Sequence, residues 1–192
     1  MKELKLNVGE LSSLQLNGFY SYFILGLILQ RRPKVIFEIG MGESAQTACL
    51  ALQALNFNKE CGFPGKFISL DIEYKKETLN KLQPYIEENN FEYIIGSSQD
   101  VFNYKNVKGP VDMVLIDAEH SYNNIINEVN HVFVANIIDP INGIFVFHDI
   151  NFAPVLLAIN DLTKQFNFQT FFFTKDNIAI SRLKCHSSLE SL

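Results

Sequence analysis

The chain has 192 residues, 47% hydrophobic and 12% aromatic, which is long enough for one well-buried α/β domain and short for two. Sixteen Lys and Arg against twenty-one Asp and Glu give a net charge of -5, with no basic run beyond Arg31-Arg32 and Lys75-Lys76, which argues against nucleic acid as a main partner. Cys49, Cys61 and Cys185 are odd in number, widely spaced and free of any C-x-x-C pair, so neither a disulfide framework nor a zinc site is expected, and a reducing, cytoplasmic setting fits best.

Residues 1–17 are polar and predict no element, although Leu11, Leu14 and Leu16 are suited to covering an apolar surface. Residues 18–30 read as a helix that Pro33 closes, so 1–30 form an N-terminal cap. The apolar stretch 18–29 is the one membrane candidate. It falls short of the roughly 20 residues a spanning helix needs, and no basic segment directly precedes it, so it is expected to be a buried helix.

The first strand is 35–39, broken in its apolarity only by Glu38. It passes through a turn holding Gly40 and Gly42 into an Ala-rich helix at 44–55. Glycines permit a tight turn and close backbone approach, and the free N–H groups of a helix start point into the same space. The segment 56–66, with Gly62, Pro64 and Gly65, reads as a loop. A strand at 67–71 ends in Asp71, and Leu79, Leu82, Tyr85 and Ile86 give 75–89 a helical period.

A third strand at 91–95 leads into G-S-S-Q-D at 96–100. After the Gly109-Pro110 turn, 111–116 is an apolar run fit for burial on both faces, ending at Asp117. A helix at 122–137, a turn at 140–143 and a strand at 144–147 ending at His148-Asp149 follow. Pro154 opens a helix to 166. Strands 169–173 and 178–183, joined by T-K-D-N, form an antiparallel hairpin, with Phe171, Phe172 and Phe173 expected in the sheet core. The sum is an α/β chain with a parallel sheet, helices on both faces and a reversed strand, in a core spanning 33–183 of a single domain 1–192.

Ligands of open parallel sheets bind beyond the carboxyl ends of the strands. Five consecutive strands place polar or glycine residues there: Gly40 to Ser44, Asp71, Gly96 to Gln99, Asp117 to His120, and His148-Asp149. Residues 40–45 fit the loose dinucleotide pattern G-x-G-x-x-A, so a nicotinamide or flavin oxidoreductase is one reading. Against it stand Glu38, unwelcome near a pyrophosphate but suited to a ligand carrying an ammonium and a sulfonium, and the next strand-end acid, Asp71. That acid lies 31 residues beyond Gly40 rather than about 20.

E-x-G-x-G-x-S at 38–44, the acid closing the second strand, G-S-S-Q-D after the third and I-D-A-E-H-S-Y after the fourth resemble class I S-adenosylmethionine-dependent methyltransferases over about 16–183. G-S-S-Q-D is similar to the adenine-binding segment of the catechol O-methyltransferase group, and I-D-A-E-H-S-Y with F-H-D to O-methyltransferases of the sugar and macrolide type. The resemblance implies a Rossmann-like, doubly wound, mostly parallel seven-stranded sheet with an antiparallel C-terminal hairpin strand. It also implies that Glu38, Gly40, Gly42 and Ser44 line the methionine part of the cofactor, that Asp71 accepts from the ribose hydroxyls, that Ser98 and Gln99 meet the adenine and that Asp117 lies against the cofactor.

The same resemblance implies O-methylation of a small hydroxylated metabolite or glycoside. His120 would be general base, with an intrinsic pKa of about 6.5, and Asp117 and Asp149 would hold Mg or Mn. Residue by residue, a third ligand is open between His148 and Asn151, and the alternative for Ser98 and Gln99 is a helix N-cap followed by a solvated side chain. Tyr122 either lines the acceptor pocket or begins a helix, and His131 and His186 are not candidates. The acceptor pocket must be completed by 1–17, by 151–154, or by a second subunit in a homodimer. A non-catalytic or oxygenase-type relative of the same fold is a further alternative.

Overall fold

A computed structural model describes residues 18–42 and 45–184; the expectations for 1–17, Ser44, Cys185 and His186 lie outside the described residues. Seven strands form one sheet: β1 (Val35–Ile39), β2 (Lys66–Asp71), β3 (Phe91–Ile95), β4 (Met113–Ile116), β5 (Ile144–His148), β6 (Phe168–Phe173) and β7 (Ile178–Leu183). Their order is β3-β2-β1-β4-β5-β7-β6. The first five are parallel, and β7 runs antiparallel to both β5 and β6. This is the Rossmann-like, doubly wound architecture expected from the sequence.

Strand alternation sorts the side chains into two cores. Ile36, Phe67, Met113, Leu115, Ile144 and Val146 pack beneath α1 (Gly18–Arg31), α2 (Gln46–Glu60) and α3 (Lys76–Leu82). Phe37, Ile39, Ile68, Leu70, Val114 and Ile116 face the opposite layer, built from α4 (Val101–Tyr104), α5 (Tyr122–Val134) and α6 (Ala153–Gln165). On β4 all four residues are buried, as a central strand covered on both sides requires. In α1, Tyr20, Ile24, Leu25 and Ile28 are turned inward against α2 and the sheet. Among the described residues, no helix is long and apolar enough to cross a membrane.

Several boundaries differ from the sequence expectation for identifiable reasons. Helix α2 runs on to Glu60 because Asn56 and Asn58 are anchored inside: they donate to the Tyr85 and Ile28 carbonyls at 2.9 and 3.0 Å. The predicted helix 75–89 stops at Leu82, and one 3-10 turn, Gln83–Tyr85, follows around Pro84, which has no N–H to continue the ladder. The unpredicted one-turn helix α4 begins at Asp100, whose carboxylate accepts from the Phe102 N–H at 2.9 Å. The fourth strand starts two residues late, with Val111 making only an isolated bridge to Ile138. The expectation that Phe171, Phe172 and Phe173 form sheet core is corrected: β6 is the sheet edge, and the three rings are 38 to 48% exposed.

Candidate active site

From β1 the chain moves outward to β2 and β3, then returns to β4 on the other side, so a crevice opens where β1 and β4 diverge. Gly40, at φ +88°, closes β1 there, and a Cβ on it would lie 2.6 Å from both the Ala118 Cα and the Asp117 carbonyl oxygen. Only glycine fits that contact and that backbone angle. Gly42 also has positive φ but faces open space. Ala45 is the N-cap of α2 and, having only a methyl group, leaves the first-turn N–H groups without a side-chain cap. The resulting cleft of about 300 Å³ is lined by Gly40, Gly42, Asp71, Ser98, Gln99 and Asp117, among others.

Glu38 lies under this cleft rather than among the residues lining it. It is buried on the α2 face of β1, and Ser69 Oγ donates to its Oε2 at 2.9 Å. Burial pushes the carboxyl up to about 8; the Ser69 hydrogen bond opposes this, while the Asp117 and Asp71 carboxylates add to it. At the end of β2, Asp71 Oδ2 accepts from the Met41 N–H and pairs with Lys75 Nζ, both at 3.1 Å. The acid thereby pins the glycine turn to the neighbouring strand.

Beyond β3 the loop Ser97 to Gln99 is held from two helices. Ser98 Oγ donates to Glu128 Oε1 at 2.7 Å, and its carbonyl accepts from Tyr104 Oη at 2.9 Å and from His131 Nδ1 at 3.2 Å. Asn103 Nδ2 donates to the Ser97 carbonyl, and Asn127 Nδ2 to Gln99 Oε1, both at 2.9 Å. The N-cap alternative for Ser98 does not hold, since Asp100 caps α4. Glu128 is wholly buried, and burial, opposed by the Ser98 hydrogen bond, raises its carboxyl to about 7.

The ends of β4 and β5 gather a second group. Nearest ligand atoms of Asp117, His120 and Asp149 all lie within 4.8 Å of one another. His120 Nε2 is 3.0 Å from Asp149 Oδ2 and 3.8 Å from Asp117 Oδ1, but is buried without a well-formed hydrogen bond. Asp117 first, and then Asp149, hold the imidazole above its ordinary pKa against the opposing effect of burial. His148 Nδ1 donates to Asp117 Oδ1 at 2.9 Å. Asp149 takes a left-handed backbone, φ +56°, and accepts from Asn177 Nδ2 at 2.6 Å. Two carboxylates and an imidazole at this spacing fit a divalent cation. Of the two residues between which the third ligand was left open, His148 stands beside the group and Asn151 is tied through its backbone N–H to Asn177 Oδ1 at 2.7 Å; the imidazole within the group is that of His120.

Several residues at the site escaped the sequence reading. Tyr20 stacks on the His148 ring at 4.1 Å, and its buried hydroxyl has no hydrogen-bond partner among the described residues. Burial, with the Asp117, Glu38 and Asp149 carboxylates, pushes that phenol well up. Phe152 stacks on His120 at 5.4 Å. Lys75, Glu128, His131 and Asn177 also support the site. A carboxylate amid the apolar positions Ile125, Val129 and Val132 of α5 was the one signal that could have marked Glu128. Tyr122 points away from the cleft, donating to Asp161 Oδ2 at 3.0 Å.

A family model described as a methyltransferase domain matches residues 37–150, more than half of the chain. No curated protein sequence matches. Among solved structures, the chain is similar to a putative caffeoyl-CoA O-methyltransferase from Staphylococcus aureus, at 16% identity and a TM-score of 0.70 over 92% of this chain and 90% of that one. It is similar to an SAH-bound methyltransferase from Podospora anserina, at 14% identity and a TM-score of 0.70 over 86% and 78%. It is also similar to the MycE methyltransferase of the mycinamycin biosynthetic pathway, in complex with Mg and SAH, at 16% identity and a TM-score of 0.60 over 93% of this chain and 55% of that one. Identities this low show a shared fold. The family match over residues 37–150 does more, removing support from the oxidoreductase reading: the chain belongs to the methyltransferase-domain family and is an enzyme of the methyltransferase class.

Proposed function

We propose that the protein transfers a methyl group from S-adenosylmethionine to an oxygen of a small hydroxylated metabolite or glycoside. The observation that carries this reading is the single cleft at the crevice between β1 and β4, where Gly40, Gly42, Asp71, Ser98, Gln99 and Asp117 converge from four strand ends. Its size falls within the roughly 300–1,000 Å³ of small-ligand sites. Asp71 accepts from a ribose diol through the oxygen not engaged by Met41 and Lys75. Ser98 and Gln99 read the base, and Glu38, held protonated beneath the turn and bonded to Ser69, supports the floor under the methionine moiety. The Mg- and SAH-bound and the SAH-bound structural neighbours support this choice of ligand.

When bound, the cofactor supplies an electrophilic methyl for in-line displacement, so alignment is most of the catalytic task and removal of the acceptor's proton the rest. His120 takes that proton at Nε2, the ring atom lying between the two aspartates. A divalent cation such as Mg or Mn, held by Asp117 and Asp149, would lower the pKa of the acceptor hydroxyl. The spacing of the three ligand atoms favours one variation, in which His120 is itself the third ligand. Phe152, stacked on His120, is an apolar wall for the acceptor, which residues 1–17 or a second subunit would enclose.

Thermal unfolding with S-adenosylhomocysteine, with NADH, and with each plus Mg or Mn tests the reading. A ligand at a hundred times its Kd adds about 2.7 kcal/mol. For this chain length that is a shift of roughly 5–10 °C. A shift with S-adenosylhomocysteine and none with NADH is expected; the reverse would sink the proposal. A shift indifferent to Mg and Mn would remove the metal and leave the cofactor.

A further inference from the structure

Glu128 stands out as a side chain that the fold does not need. Its neighbours along the inward face of α5 are Ile125, Val129 and Val132, and it is as completely buried as they are. One carboxyl oxygen has no partner among the described residues. A half-satisfied buried carboxyl is destabilising, and an apolar residue of similar size would fill the same space. The other accepts from Ser98 Oγ, at the wall of the cleft.

A hydroxyl has one proton to donate and two lone pairs to accept with. With its proton committed to Glu128 Oε1, Ser98 Oγ meets the cleft as an acceptor only. This holds for the ionised carboxyl and also for the neutral acid with its proton on the unpartnered Oε2. Next to it, Gln99 Oε1 is occupied by Asn127 Nδ2, which leaves Gln99 Nε2 as a donor. The weak 3.4 Å approach of that Nε2 to Ser98 Oγ does not use up its second hydrogen. Two adjacent residues of α5 therefore fix an acceptor beside a donor on the reading loop. The Watson–Crick edge of a 6-aminopurine presents the complement, an amino donor beside a ring-nitrogen acceptor. A 6-oxopurine presents the reverse in both places.

We propose that Glu128 is a specificity-determining residue: by taking the Ser98 proton it makes the loop select a 6-amino over a 6-oxo purine nucleoside. The proposal rests on the cofactor reading above and concerns the same site. Isothermal titration of S-adenosylhomocysteine and its 6-oxo counterpart, S-inosylhomocysteine, against the wild type, Glu128→Leu, Glu128→Gln and Ser98→Ala tests it. The wild type prefers the amino compound by at least roughly a hundredfold, as sites built around matched hydrogen bonds do. In Glu128→Leu the hydroxyl is free to turn and donate, and the preference falls below about tenfold. Glu128→Gln, whose amide oxygen accepts the same bond, keeps it. Ser98→Ala, which leaves helix α5 intact and keeps the Gln99 donor, lowers the preference below about tenfold as Glu128→Leu does.

Proportional weakening of both ligands in Glu128→Leu and Ser98→Ala, with the ratio unchanged, would mean that Glu128 only props the loop and would overturn the proposal. Wild-type protein that binds neither compound would instead remove the cofactor reading, and this inference with it.

Discussion

Replacing Glu38 with Gln isolates what the titration of this buried acid does for the fold. Its carboxyl, held near 8 against an ordinary 4.5 by burial, favours the protonated form in the folded state. Between those values the native protein binds more protons than the unfolded chain, so stability is fullest below pH 4.5. It declines as pH rises and stops declining above about 8. The whole displacement corresponds to about 5 kcal/mol, of which roughly half falls between pH 5 and pH 7 and roughly a quarter between pH 7 and pH 9. Glutamine keeps an oxygen to accept from Ser69 Oγ but does not titrate. Any cost of burying its amide nitrogen is the same at every pH, so the slope is the measurement. Urea unfolding of both proteins at pH 5, 7 and 9 should show the wild type losing stability relative to the variant by these amounts. Parallel curves across that range would refute the reasoning, because they would mean that Glu38 is ionised in the folded protein at neutral pH.

His120→Ala should abolish turnover and leave S-adenosylhomocysteine affinity within a few-fold, measured by titration and by product formation; loss of binding would assign the imidazole to the cofactor instead. Tyr20→Ala removes the ring stacked on His148 and should cost about 3–5 kcal/mol in urea unfolding. Tyr20→Phe removes only a buried hydroxyl that has no partner among the described residues, and should be neutral or stabilising by about 1 kcal/mol. A large loss in Tyr20→Phe would show that the hydroxyl has a partner in solution.

Hydrophobic period and strand-end chemistry make most of the architecture legible in the sequence. Apolar runs ending in Gly40, Asp71, Gly96, Asp117 and His148 mark five of the seven strands and the edge at which the cleft lies. What stayed hidden has a common physical cause. Tyr20 reaches His148 from α1, and Asn177 reaches Asp149 from the hairpin, over sequence separations at which a single chain offers no pattern. The asparagines of α2 read as loop because their amides look solvated until the carbonyls of Ile28 and Tyr85 are placed beside them. The Phe171 to Phe173 run misled because strand propensity says nothing about which strand lies at the edge.

The contact at Gly40 bears on how such a site can diversify. Its α-carbon abuts the backbone of Asp117 and Ala118, so the two walls of the crevice meet main chain to main chain, with no side chain between them to enlarge or trim. Groove width at that seam is therefore outside the reach of single substitutions, which could only force the walls apart. Residues 120, 148 and 152, which reach the second group through side chains, carry no such constraint. Under the function proposed above, a lineage built on this chain is free to exchange acceptors while its cofactor groove stays at one gauge.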